Sequence, residues 1–125
     1  MKDVLVFTHS DCLLKDNGPN HPERKERLDT VIKSIKELNI KEIDIKEAPL
    51  VDINDVCLVH PKRYIENIFS LIPTLGLIGV EQEPYADTFL CPNSKKAILR
   101  SCGAGIVSAD SLMLNNKKRI FCAVR

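Results

Sequence analysis

Val4-Leu5-Val6-Phe7 is an apolar run with two β-branched members that gives way to a polar stretch from Thr8 to Asn20. A run of this length and composition predicts a short strand buried on both faces, the pattern of a parallel sheet. Its counterpart is Ile120-Phe121-Cys122-Ala123-Val124, again apolar throughout and also expected to be buried on both faces. Between the two, from Glu23 onward, Leu28, Val31, Ile32, Ile35 and Leu38 recur at helical spacing, with Lys25, Glu26, Asp29, Lys33, Lys36 and Glu37 on the opposite face. Pro22 and Glu23 suit the start of that helix, where a missing N–H costs nothing and a carboxylate meets the positive end of the dipole. Ile43-Asp44-Ile45-Lys46 alternates with period two and predicts a third strand.

The remaining elements follow from caps and breakers. Asp52 caps a brief helix running to about Val59, and Pro61 opens another over 62–71. The stretch from Pro73 to Pro92 reads as irregular. Asn93 or Ser94 then caps a long helix in which Ala97, Ile98, Cys102, Gly105, Ile106, Ala109, Leu112 and Met113 keep the helical period, and Asn115-Asn116 closes it. Gly103 and Gly105 are expected to let another backbone approach closely. The loop from Ser10 to Pro22, dense in turn formers at Asp16-Asn17-Gly18-Pro19-Asn20, is expected to be exposed. The order strand, helix, strand, helices, long helix, strand is that of an α/β fold with a mostly parallel sheet and right-handed crossovers.

Composition narrows the function classes. The chain has 125 residues, 18 basic and 17 acidic side chains, a net charge of +1 and 44% hydrophobic residues, which suits one folding unit with one core. An aromatic content of 5% without a basic stripe argues against a nucleic-acid platform. Lys117-Lys118-Arg119, the tight basic run, reads as the solvated last turn of the long helix. The longest apolar stretch, 71–80, is broken by Pro73, Gly76 and Gly79 and falls far short of the ~20 residues that span a bilayer, so no membrane helix is expected. The start, Met1-Lys2-Asp3 followed by Val4 to Phe7, is too short for a secretion signal. Cys12, Cys57, Cys91, Cys102 and Cys122 are odd in number and irregularly spaced, so they are expected to be reduced thiols of a cytoplasmic protein, each filling a small buried apolar site.

Several residue groups bear on chemistry. His9-Ser10-Asp11-Cys12 with His21 brings two imidazoles and a thiol into one loop, but the paired ligands of a zinc site are missing and nothing local marks an activated thiol. In His21-Pro22-Glu23-Arg24-Lys25-Glu26-Arg27-Leu28 a loop enters a helix, placing His21 and Pro22 at the mouth and directing Arg27 about one turn inward. A buried guanidinium there needs an anion or a set of carbonyls. The alternative for Arg27 is a surface ion pair with Glu23, four residues earlier. His60, just before a helix, reads as a structural imidazole, and Asp87 in Tyr85-Ala86-Asp87-Thr88 as either a cap or a ligand-facing carboxylate. A P-loop, a dinucleotide glycine fingerprint, a His-Glu-x-x-His helix and a Gly-x-Ser-x-Gly elbow are all missing. Residue chemistry alone leaves the function open.

Taken in order, a set of residues spread over the whole chain resembles the zinc-dependent deacetylase superfamily. They are His9 with Cys12-Leu13, Gly18, His21-Pro22-Glu23, Arg27-Leu28, Ala48-Pro49, Val59-His60, Tyr64-Ile65, Pro73, Asp87-Thr88, Pro92 with Ser94, Gly103-Ala104-Gly105 and Phe121-Cys122-Ala123-Val124-Arg125. The superfamily includes histone deacetylases of the class II type and their bacterial acetoin-utilisation and acetylpolyamine amidohydrolase relatives. The resemblance implies a three-layer α/β fold of the arginase/deacetylase type, incomplete here, with residues 1–125 as the N-terminal part of a single domain. In the family the closing pentapeptide leads directly into Pro-Pro-Gly-His-His, whose histidines are the general acid/base pair. Zinc is held by an Asp-x-His pair and a later Asp, and a Tyr polarises the acetyl carbonyl, all beyond the position of Arg125.

The implied activity of the intact domain is therefore zinc-dependent hydrolysis of an acetyl amide, with acetyl-lysine or an acetylated small molecule as substrate. These 125 residues are expected to carry no catalytic residue, no metal ligand and no bound cofactor, and to be inactive alone. Carried over by position, His21 and Pro22 resemble the first-loop rim of the acyl-lysine tunnel, Asp87 the rim aspartate that receives the substrate backbone, and Arg27 the arginine of the internal channel below the zinc. Lys15, where relatives often carry His, and Lys25, where they often have Pro, depart from the pattern. Two rival expectations stand beside this one. The chain could be a complementing half that docks a C-terminal fragment on Ile120–Val124, or a non-enzymatic interaction module using the loop from Ser10 to Pro22. Neither nucleic acid nor membrane is expected as a partner.

Overall fold

The computed structural model describes residues 3–114 and 119–125. Strand β1 (Val4–Thr8) is followed by a 3-10 turn (Ser10–Leu13), helix α1 (Lys25–Glu37), strand β2 (Ile43–Glu47), helices α2 (Ile53–Val56) and α3 (Lys62–Ser70), strands β3 (Ile78–Gly79) and β4 (Phe89–Leu90), helix α4 (Ser94–Leu114) and strand β5 (Arg119–Ala123).

β1 lies at the centre of a parallel sheet of order β2-β1-β5. Val4 stands opposite Ile43 and Arg119, and Thr8 opposite Glu47 and Ala123. The continuous apolar run of β1 is explained by this position, since Leu5, Val6 and Phe7 are all buried. Burying each contributes roughly 1.5–3 kcal/mol. Alternation along the strand splits the core in two: Leu5 and Phe7 pack with Ala48 and Ala104 on the α4 side, while Val6 packs with Cys12, Leu28 and Ala123 on the α1 side. Helix, sheet and helix make three layers, as the α/β reading expects.

The differences from that reading are local. α1 begins at Lys25, not Glu23, because the Glu23 N–H donates to His21 Nδ1 and Arg24 is still extended. Part of the loop after β1 is a 3-10 turn, capped by His9, whose Nδ1 accepts from the Asp11 N–H at 3.0 Å. α2 stops at Val56, since the next residues close into tight turns on Asp55 and Val56 carbonyls. The stretch expected to be irregular contains the short antiparallel pair β3–β4. Arg119 opens β5 opposite Val4, because strand pairing claims its backbone, so it is not part of a helix turn. Asn115, Asn116, Lys117 and Lys118 lie outside the described residues. β5 is not buried on both faces, for it is an edge strand and Phe121 is 48% exposed.

Three more expectations need correction. Cys12 and Cys91 are buried, but Cys57 and Cys122 are only partly so and Cys102 is exposed; all five are free thiols. α4, with 21 residues and a mean hydropathy of 1.3, is long and apolar enough to cross a membrane by length and composition. In this fold it lies along the sheet instead, with Ala97, Ala104, Ser108 and Ser111 buried. The close approach occurs at Gly103, where a Cβ would stand 2.0 Å from the Pro49 carbonyl oxygen; at Gly105 it would meet nothing within 4 Å.

Candidate functional site

All three parallel strands end on the same side of the sheet, at Thr8, Glu47 and Ala123. Ligand chemistry in open parallel sheets gathers there. Among the described residues, Thr8 Oγ1 is the buried side-chain oxygen without a hydrogen-bond partner.

Two arginines gather the segments that leave the strands. Arg100 of α4 donates from Nε to Asp11 Oδ2 at 3.0 Å and from Nη1 to the Ala48 carbonyl at 2.8 Å, joining the turn after β1 to the end of β2. Arg125, whose side chain is 5% exposed, follows β5. Its Nε and Nη2 donate to the two carboxylate oxygens of Glu23 at 2.7 and 2.8 Å. Its Nη1 donates to the carbonyls of Lys15 and, at 3.4 Å, Cys12. The Arg125 hydrogen bond holds the Glu23 carboxyl below the ordinary value of 4.5. Asn17 Nδ2 adds a bond of 2.6 Å to the same carboxylate. Burial lowers the Lys15 ammonium from its ordinary 10.5, even though Glu23 lies 3.7 Å away and pulls the other way. The Cys91 thiol closes the loop from below, with Sγ accepting from the Asp16 N–H at 3.3 Å.

His21 sits on the resulting loop. Its Nδ1 accepts from the Glu23 N–H at 3.1 Å, which leaves Nε2 to carry the proton and donate to the Asp87 carbonyl at 2.9 Å. The ring also meets Phe89 edge-on, with centroids 6.0 Å apart. Asp87 Oδ1 lies 3.4 Å from Nε2, but the carboxylate itself is 91% exposed. Below it, Glu81 Oε2 accepts from the N–H groups of Thr88 and Asp87 at 2.9 and 3.1 Å. Those bonds, Thr88's first, push the Glu81 carboxyl down to about 2.

A carboxyl lowered in the folded loop supports that loop at and above its ordinary pKa and loses the support as pH falls toward the lowered value. The Asp87 and Thr88 amide resonances are therefore expected to titrate with a midpoint near pH 2, read by NMR. A midpoint near 4.5 would contradict the arrangement, and Glu81→Gln should abolish the titration.

Of the residues singled out by sequence, His21 and Asp87 are brought together across 66 positions, and Pro22 is exposed beside them. Arg27 does not pair with Glu23, and its side chain is not buried among the described residues. It is exposed and lines a cavity of about 140 Å³ with Leu28, Val31 and Phe121, because Leu28 takes the buried face of α1. The Glu23 carboxylate goes to Arg125 instead. The buried arginine that sequence reasoning missed is thus Arg125, whose signal was a cation directly after an apolar strand. His60 is exposed and lies against Tyr64, centroids 5.5 Å apart. Cys12 is fully buried in the core and His9 caps the 3-10 turn, so neither faces a common ion. The described residues contain no group of three His, Cys, Asp or Glu side chains that could hold a metal. Zinc does not fit the described residues.

The family model described as histone deacetylase domain matches residues 21–125. Type-2 histone deacetylase 2 of Dictyostelium discoideum is 26% identical over 149 residues, covering 99% of this chain and 9% of that protein. The crystal structure of the HDA15 HD domain superposes with a TM-score of 0.83 at 18% identity, covering 98% of this chain and 35% of that one. This chain therefore spans well under two thirds of either. The structural likeness shows a shared α/β fold, of which these 125 residues form an incomplete part.

Proposed function

The chain belongs to the histone deacetylase family, and from that premise we propose that it supplies the N-terminal part of a zinc-dependent deacetylase domain that hydrolyses acetyl amides. The metal ligands and the histidine pair come from sequence other than these 125 residues. The chain's own contribution is the rim of the substrate tunnel: His21 and Pro22 from the first loop and Asp87 from the second. One observation carries the reading. His21 and Asp87, 66 positions apart, are joined by the 2.9 Å bond from Nε2 to the Asp87 carbonyl, and the Asp87 carboxylate beside it is 91% exposed, where it can accept a substrate N–H. Arg27 is assigned to the internal channel, a reading supported by its place in the lining of the cavity of about 140 Å³ with Leu28, Val31 and Phe121.

A second reading is favoured by the sheet itself. β5 is an edge strand with a half-exposed Phe121, and a separately made C-terminal fragment could pair there. Such a complex would be a split enzyme located in the cytoplasm.

Both readings are tested together. Supplied with zinc, the 125-residue chain is expected to release no acetate from an acetyl-lysine peptide or an acetylated polyamine. Chelator-sensitive release would show that the metal site has been placed in the wrong part of the protein. Co-folded with a fragment carrying the family's Asp-x-His pair, later Asp and histidine pair, the chain should gain chelator-sensitive release. In that complex Asp87→Ala should lower kcat/KM roughly 10- to 100-fold, the effect of losing one hydrogen bond to a charged group. A folded complex without acetate release, or an Asp87→Ala variant as active as wild type, would sink the proposal.

A further inference from the structure

The rim described above is shaped by a pair of residues outside it. Arg125 donates to both oxygens of Glu23 and to the carbonyls of Lys15 and Cys12, so one buried guanidinium contacts the loop at its start, middle and end. The bond between Arg125 and Glu23 spans 102 positions of sequence. Glu23 is in turn the residue whose N–H holds His21 Nδ1, two positions back. His21 Nε2 holds the Asp87 carbonyl. The contacts thus form one chain, from the end of β5 through Glu23 and His21 to Asp87. Asn17 secures the corner by donating to both the carbonyl and the carboxylate of Glu23, at 2.9 and 2.6 Å.

We infer that Arg125 and Glu23 are positioning residues for the substrate rim: their two-pronged pair sets the loop over 12–23 and thereby the His21 ring that fixes Asp87. This rests on the rim reading given under Proposed function. A planar guanidinium is suited to the task because its donors lie in a rigid fork, matching the carboxylate on one side while the remaining N–H groups reach carbonyls. An ammonium could replace the charge but not the geometry.

Amide hydrogen exchange of the full chain tests this. In wild type the Glu23 N–H, bonded to His21, should be protected. In Arg125→Gln and in Glu23→Gln its exchange should quicken roughly 10- to 100-fold, as expected for local opening, while the Val6 and Phe7 amides of the central strand stay as they are. Arg125→Lys should behave like Arg125→Gln, because it lacks the fork. The inference is overturned if Glu23 exchange is unchanged in the folded variants, if Arg125→Lys restores full protection, or if strand and loop lose protection together in both Gln variants. The last result would make the pair a support of the whole fold. In the co-folded complex the same variants should raise KM while leaving kcat near wild type. Exchange that responds as described, with KM unmoved, would leave the clamp standing and defeat the rim reading instead.

Discussion

Gly103→Ala is expected to destabilise the fold by about 3 kcal/mol, although alanine is ordinarily the better helix former by roughly 1 kcal/mol. The added Cβ would stand 2.0 Å from the Pro49 carbonyl oxygen, 2.8 Å from its carbon and 3.1 Å from the Val51 nitrogen. All three atoms are backbone and cannot swing aside as a side chain would. The Val51 N–H also donates to the Leu99 carbonyl of α4 at 3.0 Å, so moving the helix outward would stretch that bond. Gly105 supplies the control. A Cβ there meets nothing within 4 Å, and Gly105→Ala should stabilise by about 0.5–1 kcal/mol through helix propensity. Urea unfolding of the two variants should move the midpoint in opposite directions. Equal or raised midpoints for both would show that α4 does not rest on the Pro49 backbone.

The second large effect is expected at Arg100→Met, about 3 kcal/mol of destabilisation, the lower end of what breaking a buried ion pair costs. The side chains of Arg100 and Asp11 are 20% and 15% exposed. Methionine fills similar volume but strands the Asp11 carboxylate in a poorly solvated place and leaves the Ala48 carbonyl without its 2.8 Å donor. Ala48 itself is fully buried between β1 and α4, so water cannot readily take over. Removing the carboxylate as well should recover part of the loss, because Asp11→Asn in the Arg100→Met background no longer holds a poorly solvated charge that has lost its guanidinium. Thermal or denaturant midpoints of the two single variants and the double variant make the comparison. A double variant as unstable as the sum of the single ones would show that the two residues do not act on each other.

Arg100 and the clamp at Arg125 act alike. The sheet is short and its strands end together, so the loops beyond them are held mainly by side chains. Arg100 ties the first turn to β2, and Arg125 ties the first loop to β5. The Ser101 hydroxyl, next to Arg100, donates to the Arg125 carbonyl at 2.8 Å and links the two ties. Geometry at the rim therefore depends on groups that do not themselves reach a substrate.

Legibility from the sequence divides along the range of the forces involved. Val4 to Phe7 announce a strand buried on both faces, and Leu28, Ile32 and Ile35 announce the inner face of a helix, because period and burial are properties of neighbouring residues. The α/β order, the three principal strands and the family follow from such local patterns read in sequence. What only the folded chain decides are pairings between distant residues. Nothing near Glu23 says that its carboxylate belongs to Arg125 and not to Arg27, for a helix-spaced partner and one 102 positions away satisfy the same charge. Nor does any local pattern show His21 reaching Asp87, or Gly103 seated on the Pro49 carbonyl. Burial at β5 differs for the same reason: its apolar run describes what the strand could cover, whereas its place at the sheet edge determines how much of it is covered. Periodicity is written one turn or one pleat at a time; partners are chosen by packing, in three dimensions.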